Sequence, residues 1–172
     1  MSIATPLARI VVGVVVERRK AANPWVDFVW QPIGVLTGEP DAAPWTILDT
    51  SGDRTQYYAG SAEIGLYRTE AGYYRENITS RAPSLWVALR PTGVEPPYEV
   101  IAVTADPAEG ESFTQVGDDV VEAVPMPPAV REIIEAFVAE HFVERPFEKR
   151  KRDRADPEAL ARRAPIEEDR RE

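Results

Sequence analysis

Residues 10–18 read Ile10-Val11-Val12-Gly13-Val14-Val15-Val16-Glu17-Arg18, and this stretch decides the fold class. Six of its nine residues are β-branched. Such side chains lose rotamer freedom in a helix and pack well on a pleated surface. The run hardly alternates, which fits a strand covered on both faces. It is too short to cross a bilayer. Arg18-Arg19 follow the apolar run instead of preceding one, so the pair does not read as a twin-arginine export signal.

Working outward, Arg19–Pro24 is a turn, and residues 25–36 read as a long strand in which Val26, Phe28 and Trp30 share a face. Pro32 and Gly34 mark a bulge or a sheet edge. Residues 45–49 form a short strand, and 55–58 with 62–68 a hairpin around Ala59-Gly60-Ser61. Residues 73–80 allow a helical turn. Residues 84–90 and 98–104 are strands, paired antiparallel by the short link between them. Residues 106–119 read as a polar loop, and 120–124 as a last strand.

The clearest element is a helix over 127–143. Val130, Ile133, Ile134, Phe137, Val138 and His141 recur on one face, with Pro127 and Pro128 suited to its first turn. A helix of this kind needs a surface to cover. The expected fold is therefore α+β: a mainly antiparallel curled sheet or half-barrel of about seven strands, closed by one C-terminal amphipathic helix. Residues 1–9 are expected to be a flexible N-terminus, 10–147 a single domain, and 148–172 a charged, disordered tail.

Composition narrows the function classes. The chain has 172 residues, 44% of them hydrophobic, and no cysteine. Disulfides, thiolate metal sites and a thiol nucleophile are thereby excluded. Residues 1–144 carry 10 basic and 21 acidic side chains, a net of −11, while 145–172 carry 10 basic and 8 acidic, a net of +2. The acidic part repels phosphate backbones, so nucleic acid is not the expected partner. With no secretory signal and no spanning segment, a soluble cytoplasmic protein is expected, with no membrane attachment. Phosphate-binding glycine loops are missing, and Lys20 is the sole lysine before residue 149, which leaves little room for Schiff-base chemistry.

Three features bear on chemistry. His141 is the only histidine and sits on the apolar helix face, where a structural role fits best. Asp118-Asp119 offers two carboxylates, but neighbours in sequence do not converge on one substrate as an acid–base pair must. Asn77-Ile78-Thr79 matches a glycosylation acceptor, a chance match in a cytoplasmic protein. Neither catalytic residue, metal nor resident cofactor is expected. Binding residues stand out more. Trp25 has the opposite parity to Trp30 and should be exposed. Arg145, Phe147, Lys149, Arg150, Lys151 and Arg152 join an aromatic anchor to a basic block.

One set of motifs recurs in a fixed order: Val12-Gly13-Val14-Val15-Val16-Glu17-Arg18-Arg19, Asn23-Pro24-Trp25 with Trp30 and Pro32, Ala43-Pro44-Trp45-Thr46, Gly117-Asp118-Asp119, Val124-Pro125-Met126-Pro127, and Glu144-Arg145-Pro146-Phe147 with Lys149-Arg150-Lys151-Arg152. The combination, over about residues 10–154, resembles an uncharacterised proteobacterial family, a domain of unknown function often encoded beside molybdenum-dependent formate dehydrogenase genes. That resemblance implies a cytoplasmic, non-enzymatic accessory protein for formate dehydrogenase assembly or operation, with the enzyme or its maturation factors as protein partner. A second expectation is a ligand-binding domain for a molybdenum cofactor or a related phosphorylated molecule. It would need a pocket built from Arg54, Arg68, Arg75, Arg81 and Arg90. A third is a carboxylate-based enzyme using Asp118 and Asp119.

Overall fold

The valine run forms the centre of a sheet. The structure, a computed structural model, describes residues 4–144. Strand β1 (Ala8–Lys20) pairs antiparallel with β2 (Phe28–Thr37) on one side and with β4 (Arg54–Leu66) on the other; β3 (Thr46–Ser51) pairs with β4, giving the order β2-β1-β4-β3. Residues 12–16 are all buried, as a strand covered on both faces requires. Leu7 N–H donates to the Leu66 carbonyl at 2.9 Å, so the sheet reaches back past the expected start at residue 10.

A second antiparallel sheet, in the order β6-β5-β7, is built from β5 (Ser84–Pro91), β6 (Tyr98–Thr104) and β7 (Val120–Pro125). β4 lies against β6, and β2 against β7. The expected single curled sheet is thus two antiparallel sheets of four and three strands, without a closed barrel. Val12, Val14 and Val16 of the first sheet join Leu85, Val87 and Leu89 of the second in one core.

The expected hairpin around Ala59-Gly60-Ser61 is instead a bulge within one continuous strand. Val14 faces Gly60 while Val15 faces Tyr58, leaving Ala59 as the extra residue. Gly60 takes φ +133, open to glycine at no steric cost, and lies beside Val100 of β6, where an added Cβ would come within 3.9 Å of Val100 Cγ2. The true hairpin joins β3 to β4 at Gly52, with φ +62. In β2 the expected irregularity at Pro32 and Gly34 is a bulge: Val16 faces Pro32 and Val15 faces Gly34.

Helices α1 (Ala71–Ile78), α2 (Pro107–Phe113) and α3 (Pro128–His141) complete the unit. In α3, Val130, Ile134, Phe137 and Val138 are buried and the helix packs on α1; Ile133, expected on the same face, is exposed. Helix α2 replaces the expected loop. Asp106 caps it by accepting from Ala108 N–H at 2.9 Å, and Pro107 occupies its first turn. Asn77, 3% exposed, fastens α1 to the second sheet. Its Nδ2 donates to the carbonyls of Ser84 at 2.8 Å and Ala105 at 2.9 Å, and its Oδ1 accepts from Ser84 N–H at 3.0 Å. Its amide is committed to the core, consistent with the glycosylation match being chance.

Tyr74 of α1 is 2% exposed, and its hydroxyl accepts from Tyr67 N–H at 3.1 Å. Burial pushes its pKa up to about 12; the Tyr67 hydrogen bond opposes the rise, and the charges of Asp106, Glu70 and Glu109 add to it. An unfolded tyrosine ionises near pH ~10. The native phenol holds its proton where the unfolded one loses it. Stability is therefore intact below pH ~10 and falls by about 2–3 kcal/mol as pH rises through pH ~12. In guanidinium titrations from pH 9 to 12, Tyr74→Phe is expected to remove that part of the decline.

Candidate functional site

Strand parity carries an arginine onto the core face of β1. Val12, Val14 and Val16 alternate inward, and Arg18 is next in that series. By then the core has ended. Arg18 lies opposite Trp30 of β2, and Tyr57 of β4 lies opposite Val16. The inner face of the sheet thus continues past its aliphatic core as an aromatic floor.

The rings on that floor form one cluster. Trp30 and Tyr57 are stacked, with centroids 5.7 Å apart. Trp45 meets both edge-on at 5.8 Å, and Tyr98 from β6 approaches Trp30 at 6.1 Å. Each pair contributes about 0.5–1.5 kcal/mol beyond its buried area. The Arg18 Cζ lies 4.4 Å from the centre of the Phe28 ring and 5.7 Å from those of Trp30 and Tyr57. Trp45 adopts φ +71, a left-handed conformation that costs a bulky residue roughly 1–3 kcal/mol. Its N–H bonds the Tyr58 carbonyl, and its ring packing offsets the cost.

Beside this floor the surface is concave. An open groove of about 550 Å³ runs between Phe28, Trp30, Tyr98 and the 91–97 loop. It shares Phe28 with a second groove of about 540 Å³ under the 20–27 loop. That groove in turn shares Lys20 with a smaller one of about 280 Å³ beside Arg19, Asp53 and Arg54. The three make one continuous end of the molecule. Trp25, 90% exposed, stands there with exposed Val26, Phe28 and Val94; it lies in the turn before β2, where the strand expected from residue 25 has not begun, so the turn and not strand parity exposes it. Arg18, Arg19, Lys20 and Arg54 also gather at this end, four of the ten cations of residues 1–144.

The other sequence-derived candidates fall elsewhere. Asp119 is held bidentately by Arg90, with both contacts at 3.0 Å, and this pairing raises the Arg90 pKa. The Asp119 side chain is a structural clasp between β5 and the start of β7. His141 is half-buried against the Phe137 ring at 4.4 Å, and its Nε2 lies 3.7 Å from Glu140. Among the described residues no group of three or more His, Asp or Glu is arranged to hold a metal ion. Of the five arginines expected to build an anion pocket, Arg90 is spent on Asp119, Arg54 lies 3.7 Å from Glu17, and Arg75 lies over the Phe142 ring at 4.8 Å. None of the grooves above is lined by two of the five. Arg145, Phe147, Lys149, Arg150, Lys151 and Arg152, with the charged tail, lie outside the described residues. No described helix is long and apolar enough to cross a membrane.

The exposure expected of Trp25 holds, and Trp30, on the other parity, is half-buried and packs against the core. Arg18 entered the sequence analysis only as half of a rejected export motif. The overlooked signal is the charge of Arg18 on the inward parity of a buried strand. Nothing in the order of residues announces the left-handed Trp45 or brings Tyr98 to Trp30.

Comparison with curated proteins and with solved structures returns no match. A family model described as "Protein of unknown function (DUF3305)" matches residues 11–151, which include every residue of the aromatic end, and the chain belongs to that family.

Proposed function

We propose that this chain is a non-enzymatic, partner-binding accessory protein whose contact surface is the aromatic end formed by Trp25, Phe28, Trp30 and the 91–97 loop. The observation that carries the reading is the continuity of exposed Trp25, Val26 and Phe28 with the groove beside Trp30. A tryptophan exposed to 90% gains little from folding. Aromatic side chains rimmed by arginine are the residue types that dominate protein interfaces. Formate dehydrogenase, or a factor that matures it, is the partner to test first. The resemblance of the Val12–Arg19, Asn23–Trp25 and Pro44–Thr46 motifs to proteins encoded beside that enzyme supports this choice.

The Trp25→Ala/Phe28→Ala double variant tests it. Both side chains are exposed, so the melting temperature should move by no more than a few degrees. Retention of proteins from the formate dehydrogenase locus at moderate salt should fall at least tenfold, the scale of removing one interface anchor. The proposal fails if the wild type retains nothing from that locus, or if the double variant retains as much as the wild type.

A further inference from the structure

We infer that the Arg18 corner receives a carboxylate: an Asp or Glu side chain within a short acidic–apolar segment of a protein partner, with a neighbouring apolar side chain entering the groove between Trp30, Tyr98 and Val94. This rests on the partner-binding reading and gives that partner its chemistry.

The case begins with what Arg18 lacks. Its guanidinium is held among the rings of Phe28, Trp30 and Tyr57. Among the described residues it has no ion pair and no side-chain hydrogen bond. Arg90 of the same chain shows what a guanidinium does with a carboxylate in reach: it takes both oxygens at 3.0 Å. Ring contacts limit the motion of the Arg18 plane, so less entropy is lost when a planar acid pairs with it. A half-buried setting also strengthens the pair relative to one in open water.

Charge and shape select the class of ligand. Arg18, Arg19, Lys20 and Arg54 stand at this end beside Glu17, Asp27, Asp53 and Glu95, and Arg54 is spent on Glu17; Arg18 is the half-buried cation caged by rings, so the attraction is local to its guanidinium. Residues 1–144 carry a net of −11, however, and Asp27 and Glu95 line the same grooves. A row of phosphates would meet these charges several times over; a single carboxylate flanked by apolar residues meets them once and gains the Arg18 guanidinium in return. The aromatic groove next to Arg18 accommodates that apolar neighbour.

A phage-displayed library of 12-residue peptides, selected on the full chain, tests the inference. The enriched peptides are expected to carry Asp or Glu beside an aromatic or aliphatic residue. In a synthetic copy of the strongest binder, exchanging that acid for its amide should weaken binding about tenfold, the value of one charge-assisted pair. Arg18→Gln should weaken the acidic peptide by a similar factor and bind acid and amide forms alike. Arg18→Lys keeps the charge without the planar fork and should fall between; it carries the comparison if Arg18→Gln fails to fold. Absence of enrichment, acid-free binders, an unchanged amide form, or displacement of the peptide by octathymidylate would each overturn the inference. If binding is lost in Trp25→Ala/Phe28→Ala but does not depend on the acid, the inference fails and the partner-binding reading stands. If binding ignores both the acid and those two residues, both fail.

Discussion

Asn77→Asp is expected to lower the unfolding free energy by about 4 kcal/mol at pH 7. The wild-type amide gives two hydrogens to the carbonyls of Ser84 and Ala105. A carboxylate of the same shape points an anionic oxygen at those two acceptors in a site that is 3% exposed. It strands both carbonyls and buries a charge, each costing on the order of 1–3 kcal/mol or more; the bond from Ser84 N–H to Oδ1 survives and offsets part. Burial raises the pKa of the new carboxyl above the ordinary value of ~3.9. The gap to the wild type should therefore be smallest near pH 4, where the acid is protonated and can donate once. It should widen as pH rises. Urea midpoints of the two proteins at pH 4, 5.5 and 7 measure this. Asn77→Ala, which loses all three bonds without adding charge, should cost about 3 kcal/mol and show no such pH dependence.

Gly110→Ala should cost about 3 kcal/mol, although alanine is the better helix former. A Cβ at Gly110 would sit 2.3 Å from the Trp86 Cγ and 2.7 Å from its Cβ. These atoms lie at the root of the indole, so no flexible end can give way. Either Trp86 leaves its rotamer or α2 lifts from β5. Overpacking of this kind costs about 1–3 kcal/mol or more, against a gain of ~1 kcal/mol from helix propensity. Because the contact falls below any tolerated distance, the overpacking exceeds that range at about 4 kcal/mol, and about 3 kcal/mol remains after the propensity gain. For a domain of this size the expected drop in melting temperature is roughly 10 °C. Gly72→Ala in α1 is the matched control. There the nearest atom would be Phe142 Cε2 at an ordinary 3.7 Å, so the propensity gain should stand alone.

Much of the fold was legible because it depends on local pattern. The nearly continuous valines of β1, the strand read over 84–90 and the helical period of α3 each survive into the structure at nearly their expected positions. The misreadings are where one local signal has two meanings. Ala59-Gly60-Ser61 has the composition of a turn, yet partner strands on both sides of β4 hold it in a bulge. Asp106-Pro107 carried a cap and a first-turn proline, a helix start that the surrounding polarity concealed. Two sheets instead of one follow from nonlocal pairing: β1 lies between β2 and β4, an order that no single segment encodes.

The site was less legible for the same reason. Trp25 was expected to be exposed from strand parity, but β2 begins only at Phe28, and the turn at Asn23-Pro24 exposes Trp25 and Val26 alike. The cluster around Trp30 draws on β1, β2, β4, β6 and the residue before β3, and only the assembled sheets bring those rings within about 6 Å of one another. Asp118 and Asp119 drew notice as neighbouring carboxylates. Pairing with Arg90, distant in the chain, gives Asp119 a structural task instead.

Photo-crosslinking inside cells tests most directly whether the aromatic end is the working surface. p-Benzoylphenylalanine would be placed singly at Trp25, Val94, Leu7 and Ile133, four exposed positions of which only the first two belong to that end. Adducts to a protein of the formate dehydrogenase locus should form from positions 25 and 94 and be missing from 7 and 133. Adducts of equal yield from all four positions, or from 7 or 133 alone, would contradict it.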